Sequence, residues 1–210
     1  MTKTYPEKAM MHAEDLVTRA REGDTVAQGK LMQAWYKRIY NFGYKFFFDH
    51  DLAMEVAQKT FIAMHRHIAV LQDASRFRPW LYTIAVNCCR EELRRKKNAR
   101  AVSLDAVRPG DDQEDGKTWE IAGHRHDNPE RALRQSELAD ILQGCLLQLS
   151  EEQREVVIMK EYEGMKFREI AEALSISENT VKSRMYYGLE AMKRMLERKK
   201  ITRETIGYEL

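Results

Sequence analysis

The stretch from Lys166 to Leu196, KFREIAEALSISENTVKSRMYYGLEAMKRML, most narrows what this chain can fold into. It reads as a short helix, a tight turn and a longer basic helix. Ile170, Ala171, Leu174, Ile176 and Val181 stand where two crossing helices need apolar or small residues. Ser177 is placed to cap the second helix by accepting from a backbone amide of its first turn. Val181, Met185, Leu189, Met192 and Leu196 recur at helical steps and predict one inward face. The opposite face carries Asn179, Thr180, Ser183, Tyr186, Tyr187 and Arg194, with Lys182 and Arg184 on its flanks. Such side chains suit base edges and phosphates in a major groove. The pattern fits a helix-turn-helix; it also fits an ordinary amphipathic hairpin with a solvated face.

The rest of the chain is consistent with helices throughout. Only four prolines and ten glycines punctuate 210 residues, and no β-type alternation is sustained over several strands. A hydrophobic content of 43% suffices for a core, and 32% charged residues fits a soluble helical protein. No apolar run approaches the roughly 18 residues of a membrane span. The opening MTKTYPEKAMMHAEDL lacks the apolar centre of a signal peptide, so a cytoplasmic protein without membrane insertion is expected. Cys88, Cys89 and Cys145 form no CxxC pair and read as inert thiols. Neither a metal site nor a cofactor is implied. No Gly-rich phosphate loop, nucleophile elbow or HExxH is present, which argues against an enzyme.

Charge is unevenly placed. Between Arg76 and Arg100 eight basic residues face only Glu91 and Glu92. From Ala101 to Gln135 acidic residues prevail, and from Glu178 to Lys200 basic ones prevail again. Two basic blocks around an acidic one suggest two polyanion-binding surfaces on a joined pair of modules. Charge alone would allow the acidic segment to fold back over the basic faces and inhibit DNA binding.

Helical periods place the modules. Leu16, Val17 and Ala20 open a helix that stops at Gly23, and Asp24 can cap the next, with Leu31, Trp35, Ile39, Phe42 and Phe46 inward. A turn at Phe48 to Asp51 precedes a helix over Leu52 to Leu71, with Val56, Ile62 and Ile68 among its apolar positions. Gln72 to Ser75 connects to another run in which Pro79 sits in the first turn, where early amides have no intrahelical acceptor. Ala101 to about Arg131 lacks a helical period and carries Pro109, Gly110, Gly116, Gly123 and Pro129, as a flexible acidic linker would. Beyond it, Leu138, Ile141, Leu142, Cys145, Leu146 and Leu149 form a stripe, and Ser150 with Gln153 makes a capping box for a helix over Glu151 to Tyr162. The expected fold is all-α: two small helical domains over 13–99 and 130–197, a linker over 100–129 and a tail over 198–210.

Two stretches then share one likeness. FRPWLYTIAVNCCREELRRKK, Phe77 to Lys97, resembles the promoter-melting segment of region 2 in extracytoplasmic-function (ECF) sigma factors of the sigma-70 family. Phe77, Trp80, Leu81, Ile84, Ala85, Asn87, Glu91 and Arg94 fit that family's spacing. EVAQKTF, Glu55 to Phe61, resembles its polymerase-docking helix, and the second module resembles sigma region 4 throughout. The chain departs from the family at Lys59, where an acidic residue is usual, at Ser175, where the turn often has Gly, and at Tyr187, where Arg is common.

The resemblance implies a promoter-specificity subunit that binds bacterial core RNA polymerase through its clamp helices and flap, and promoter DNA both as duplex and as melted strand. It implies −35 contacts from Asn179, Thr180, Lys182, Ser183, Arg184, Tyr186 and Tyr187. It implies −10 contacts from Arg76, Arg78, Trp80, Asn87, Arg90, Arg94, Arg95 and Lys96, with Gln72 to Ser75 as the loop that captures an extruded base. Glu55, Gln58, Phe61 and His65 would dock on the polymerase. An anti-sigma factor is a further partner that it allows. A self-sufficient helix-turn-helix regulator is the competing expectation; it would bind duplex DNA tightly without polymerase.

Overall fold

A computed structural model describes residues 7–104 and 129–201, and every regular element among them is helical. The first group comprises α1 (Glu7–Arg21), α2 (Thr25–Phe47), α3 (His50–His67) and α4 (Phe77–Leu104). The second comprises α5 (Pro129–Gln148), α6 (Glu151–Val157), α7 (Phe167–Leu174) and α8 (Glu178–Arg198).

Local chemistry sets the boundaries. Asp24 accepts from the amides of Val26 and Ala27 and also holds the Arg19 guanidinium at 2.6 Å, closing the start of α2. At the other end of α2, Phe48 adopts a left-handed conformation (φ 52°), and Asp49 then caps α3 by accepting from the Leu52 amide. Helix α3 ends at His67, earlier than the expected Leu71, and passes through a 3₁₀ turn over Ile68–Val70. Asp73 accepts from the Ser75 amide and hydroxyl, which folds the connection into a second 3₁₀ turn, Ala74–Arg76, directly before α4.

The core of the first group is built by Leu31, Ile39, Phe42 and Phe46 from α2, Val56, Ala57 and Met64 from α3, and Leu81, Tyr82 and Ala85 from α4. Burying each large side chain here contributes about 1.5–3 kcal/mol. Gly43 lets α2 and α3 approach closely, because a Cβ there would lie 3.3 Å from the Ala53 Cα.

In the second group, Val156, Val157, Ile158 and Met159 are buried against Val181, Met185 and Met192 of α8. The last turn of the expected Glu151–Tyr162 helix is a π-turn over Ile158–Tyr162. Ser150 caps α6 by accepting from the Gln153 amide. The turn between α7 and α8 closes on Ser175 in a left-handed conformation (φ 55°), with the Ile176 amide reaching back to the Ala171 carbonyl at 3.0 Å.

Three expectations are corrected. Leu189 does not join the inward stripe of α8; it is 44% exposed, and Gly188 takes the contact, with a hypothetical Cβ only 3.1 Å from Val157 Cγ2. Ile62 is exposed on α3. Helix also occupies residues 101–104 and begins again at Pro129, at both margins of the expected linker; the rest of that expected linker, and the tail beyond 201, lie outside the described residues.

The two groups share one continuous core. Arg154 of α6 sits at the seam, buried, and donates to the carbonyls of Leu146, Leu147 and Leu149 at the end of α5 and to the Phe46 carbonyl at the end of α2.

Candidate nucleic-acid interface

The second helix of the helix-turn-helix presents an open polar face. Ser177 accepts from the Thr180 amide at 3.0 Å and bonds the Thr180 hydroxyl at 2.8 Å, fixing the first turn of α8. Asn179, Lys182, Ser183, Tyr186 and Tyr187 are exposed beyond it, and Thr180 and Arg184 are half-buried at its edges. Tyr186 and Tyr187 are 66% and 61% exposed and meet edge to face, with ring centroids 5.5 Å apart. Two large aromatic rings held out in water on a helix rigidified by its cap make a ready surface for base edges and thymine methyl groups. Of the seven residues expected to contact the −35 element, five are exposed on this face and two stand at its edges. The sequence reading missed Leu189, which adds an apolar spot one turn beyond Tyr186.

The basic residues around α4 divide between two directions. Toward α3, Arg95 bridges Glu55 at 2.9 Å and Glu92 at 3.1 Å, and Lys96 pairs with Asp49 at 3.2 Å. Lys59 completes this cluster with Glu55, at 2.9 Å, and with the buried Glu92. Donating a hydrogen bond to the Glu92 carboxylate raises the Lys59 pKa above its ordinary value. The Lys59 departure from the family pattern thus has a structural reason: an acid at that position would face a carboxylate that is almost out of water.

Toward the second group, Arg76 pairs with Glu172 at 2.5 Å, Arg78 reaches the Glu163 carbonyl and Glu169, and Lys97 pairs with Glu151 at 2.5 Å. Arg90 forms two parallel bonds to Glu155, at 2.8 and 2.7 Å. Glu155 is fully buried; burial pushes its carboxyl up, and Arg90 draws it back down. The Tyr82 hydroxyl donates to Glu163 at 2.5 Å, and the Thr83 hydroxyl to the Ala173 carbonyl at 2.9 Å. Burial, together with the Glu163 carboxylate, lifts the Tyr82 pKa well above its usual value. Asn87 and Arg94 look into an open groove of about 840 Å³ between the groups, with Glu151, Glu152 and Arg184 on its other wall. Trp80 is half-buried against Phe77, with ring centroids 5.9 Å apart.

The helix expected to dock on a partner is partly as read. Gln58 and His65 are exposed on α3, and His65 bonds the Gln28 side chain at 2.6 Å. Glu55 faces Lys59 and Arg95. Phe61 is corrected: it is only 5% exposed, stacked on Tyr36, and belongs to the core. The outward surface is completed instead by Met54 and Ile62, at four-residue steps with Gln58. That spacing was available as a signal. The seam residues Arg154 and Glu155 also escaped the sequence reading; their only sign is a charged pair directly before the apolar run Val156–Met159.

Among the described residues no group of three or more His, Cys, Asp or Glu side chains could hold a metal ion, and the three cysteines are free thiols. No described helix is long and apolar enough to cross a membrane.

Family models described as Sigma-70 region 2 and Sigma-70, region 4 match residues 31–99 and 139–192. The chain is 28% identical over 189 residues to the RNA polymerase sigma-H factor of Pseudomonas aeruginosa, covering 88% of this chain and 93% of that one. It is 28% identical over 180 residues to the ECF RNA polymerase sigma factor SigW of Bacillus subtilis, covering 86% and 94%. Two solved structures share the fold at a TM-score of 0.62. One is CnrH in complex with the cytosolic domain of CnrY, 21% identical, covering 89% of this chain and 97% of that one. The other is the sigma factor RpoE with the anti-sigma factor NepR from Bartonella quintana, 20% identical, covering 80% and 96%. Both region matches fall in order on the two helical groups, and relatives of the same kind span nearly the whole chain, so the chain belongs to the extracytoplasmic-function RNA polymerase sigma factors of the sigma-70 family.

Proposed function

We propose that this chain binds bacterial core RNA polymerase, carries it to promoters with particular −35 and −10 elements, and begins strand separation there. The observation that carries the reading is the open face of α8, where Asn179, Lys182, Ser183, Tyr186 and Tyr187 stand exposed together on the helix that follows the capped turn. These side chains read base edges, while Thr180 and Arg184 contact the backbone at the rim.

The −10 element falls to the first group. Asn87, Arg90 and Arg94 lie on one face of α4 and approach the bound strand; Arg76, Arg78 and Trp80 act at its start. The connection from Gln72 to Ser75 takes up an unstacked base, whose removal costs a few kcal/mol that protein contacts must offset. Arg95 and Lys96, each paired with acids of the first group in the free chain, extend this basic surface along α4. Gln58 and His65, joined by Met54 and Ile62, form the docking face for the polymerase. The domains divide accordingly, with 13–99 serving docking and the −10 element and 130–197 the −35 element. The chain supplies specificity and leaves bond-making to the polymerase, and it works in the cytoplasm, where that polymerase meets DNA. An anti-sigma factor is a natural further partner, since the solved RpoE structure above holds the anti-sigma factor NepR.

In vitro transcription with core polymerase on a pool of promoter fragments tests this. New transcripts whose templates share −35 and −10 motifs are the expected result. No new transcripts, together with tight duplex binding by the chain alone, would favour an autonomous regulator.

A further inference from the structure

The end of α1 lies against the connection between α3 and α4. Helix α1 packs on the 3₁₀ turns that stand on either side of Asp73, with Val17 and Ala20 buried. Its last turn is firmly held: Arg19 pairs with Asp24 at 2.6 Å, and the Gln28 side-chain amide donates to the Ala20 carbonyl at 3.0 Å. Arg21 follows directly and is half-buried. Its Nε is enclosed and has no hydrogen-bond partner among the described residues. Packing, and not a bond, therefore sets where this guanidinium points, and a buried N–H without an acceptor is costly to keep.

Asp73 supplies an acceptor beside it. Its Oδ1 accepts from the Ser75 amide and hydroxyl at 2.9 and 2.7 Å, so Oδ2 stays available. The Ser75 hydroxyl and amide hold the Asp73 carboxyl below its ordinary pKa, and the charges of Arg76 and Arg21 add to the effect. Arg21 is thus close enough for its charge to be felt in the loop. We infer that Arg21 is a specificity-determining residue of the −10 surface: together with Asp73 it reads the edge of the base that the Gln72–Ser75 loop takes up, and it favours cytosine or guanine. This rests on the function proposed above, in which that loop captures an unstacked base.

The chemistry of the two side chains selects the base. A guanidinium offers parallel N–H donors in a fixed fork and needs two adjacent acceptors to fill it. Cytosine presents O2 and N3, and guanine presents O6 and N7. Each also has a neighbouring N–H for a carboxylate, the N4 amino group of cytosine or N1 of guanine. Adenine sets an amino donor beside each acceptor, and thymine sets an N–H between its two carbonyls, so neither fills the fork. A phosphate would fill it, but the Asp73 carboxylate repels a phosphate and accepts from a base. The match to Sigma-70 region 2 begins at residue 31, so neither α1 nor Arg21 falls within the matched stretch.

The test uses holoenzyme assembled from core polymerase and the full chain, native or carrying R21A, R21K or D73A. The probe is a promoter fragment with a duplex −35 element and a single-stranded −10 element of the sequence recovered by the transcription assay. Each −10 position in turn holds each of the bases or an abasic unit. D73A locates the position that the loop reads, because base preference should fall there and nowhere else. At that position the native chain should favour cytosine or guanine over the other bases and the abasic unit by about tenfold. R21A and R21K should both erase most of that preference and leave other positions unchanged, since lysine keeps the charge and lacks the fork. Equal melting midpoints would show the variants folded. A native preference for adenine or thymine there, an R21A effect equal for every base and the abasic unit, or full preference retained in R21A would each overturn the assignment of Arg21. If D73A changes no position, the loop captures no base, and that reading falls together with this inference.

Discussion

Arg154 donates to the Phe46 carbonyl oxygen at 3.0 Å, joining residues 108 positions apart across the seam between the two helical groups. The same guanidinium satisfies three carbonyls at the end of α5, where the last turn of a helix lacks intrahelical donors. Its plane also lies over the Phe46 ring, 5.4 Å from the centroid. Replacing Arg154 with Met should keep most of the packing and strand several acceptors. A loss of about 2–4 kcal/mol is expected, read as a lower urea midpoint. Arg154→Lys should recover little of it, because an ammonium cannot match the planar fork.

Ser175 occupies a left-handed conformation at the turn of the helix-turn-helix (φ 55°). An L side chain there costs about 1–2 kcal/mol, and Gly gives back part of that through its greater freedom in the unfolded chain. Ser175→Gly should therefore stabilise the protein by about 0.5–1 kcal/mol. The expected rise in melting midpoint is about 1–4 °C by calorimetry, with DNA binding unchanged.

Acid should weaken the fold through two caps. The Ala27 amide, followed by Arg19, holds the Asp24 carboxyl below its ordinary pKa. Burial pushes the Asp49 carboxyl up, but the Leu52 amide and Lys96 outweigh it and leave it lowered as well. Lowered folded values mean that the charge contributes stability above the unfolded aspartate pKa of about 3.9 and loses it as pH falls through the folded values. Asp24→Asn and Asp49→Asn keep a capping oxygen and remove the charge. Each variant should be less stable than the native chain near neutrality. The difference should shrink as pH falls below about 4, measured as urea midpoints against pH. A difference that persists unchanged in acid would contradict the assignment.

The −35 face offers a separation of roles. Lys182→Ala should weaken duplex binding across all sequences and lower the slope of log affinity against log salt by about 1. Tyr186→Ala and Tyr187→Ala should leave that slope intact and reduce discrimination between correct and mismatched −35 elements, by about 1–3 kcal/mol for a well-formed contact. Holoenzyme binding to promoter variants at several salt concentrations checks both. Loss of salt slope from the tyrosine variants would place these rings on phosphates instead.

Features that depend on neighbours along the chain were legible from the start. Asp24 and Ser177 act on amides two or three residues away, so their caps follow from local order alone. The exposed face of α8 follows from helical period, because a helix packed on one side leaves the other to water. The errors fall where period is not enough. Phe61 and Ile62 are adjacent, and a turn of about 100° between them decides which meets the core; only the position of α2, with Tyr36 against Phe61, settled it. Leu189 was placed inward because Gly188 carries no apolar side chain to announce itself. Yet it is the missing Cβ of Gly188 that lets α8 approach Val157.

The sequence by itself determined the helical elements, their caps, the order of the two modules and the family they belong to, since each rests on short-range pattern or on motif spacing. What the basic residues of α4 do in the free chain was decided by tertiary structure alone. Eight cations between Arg76 and Arg100 look alike in a sequence. Packing turns Arg95 and Lys96 toward acids of the first group, and Arg76, Arg78, Arg90 and Lys97 toward acids of the second. Arg90 and Glu155 are 65 positions apart, and no local rule links them. Their pairing exists because two helices from separate modules bury one carboxylate beside one guanidinium, where a buried charge left without its partner would be too costly to keep.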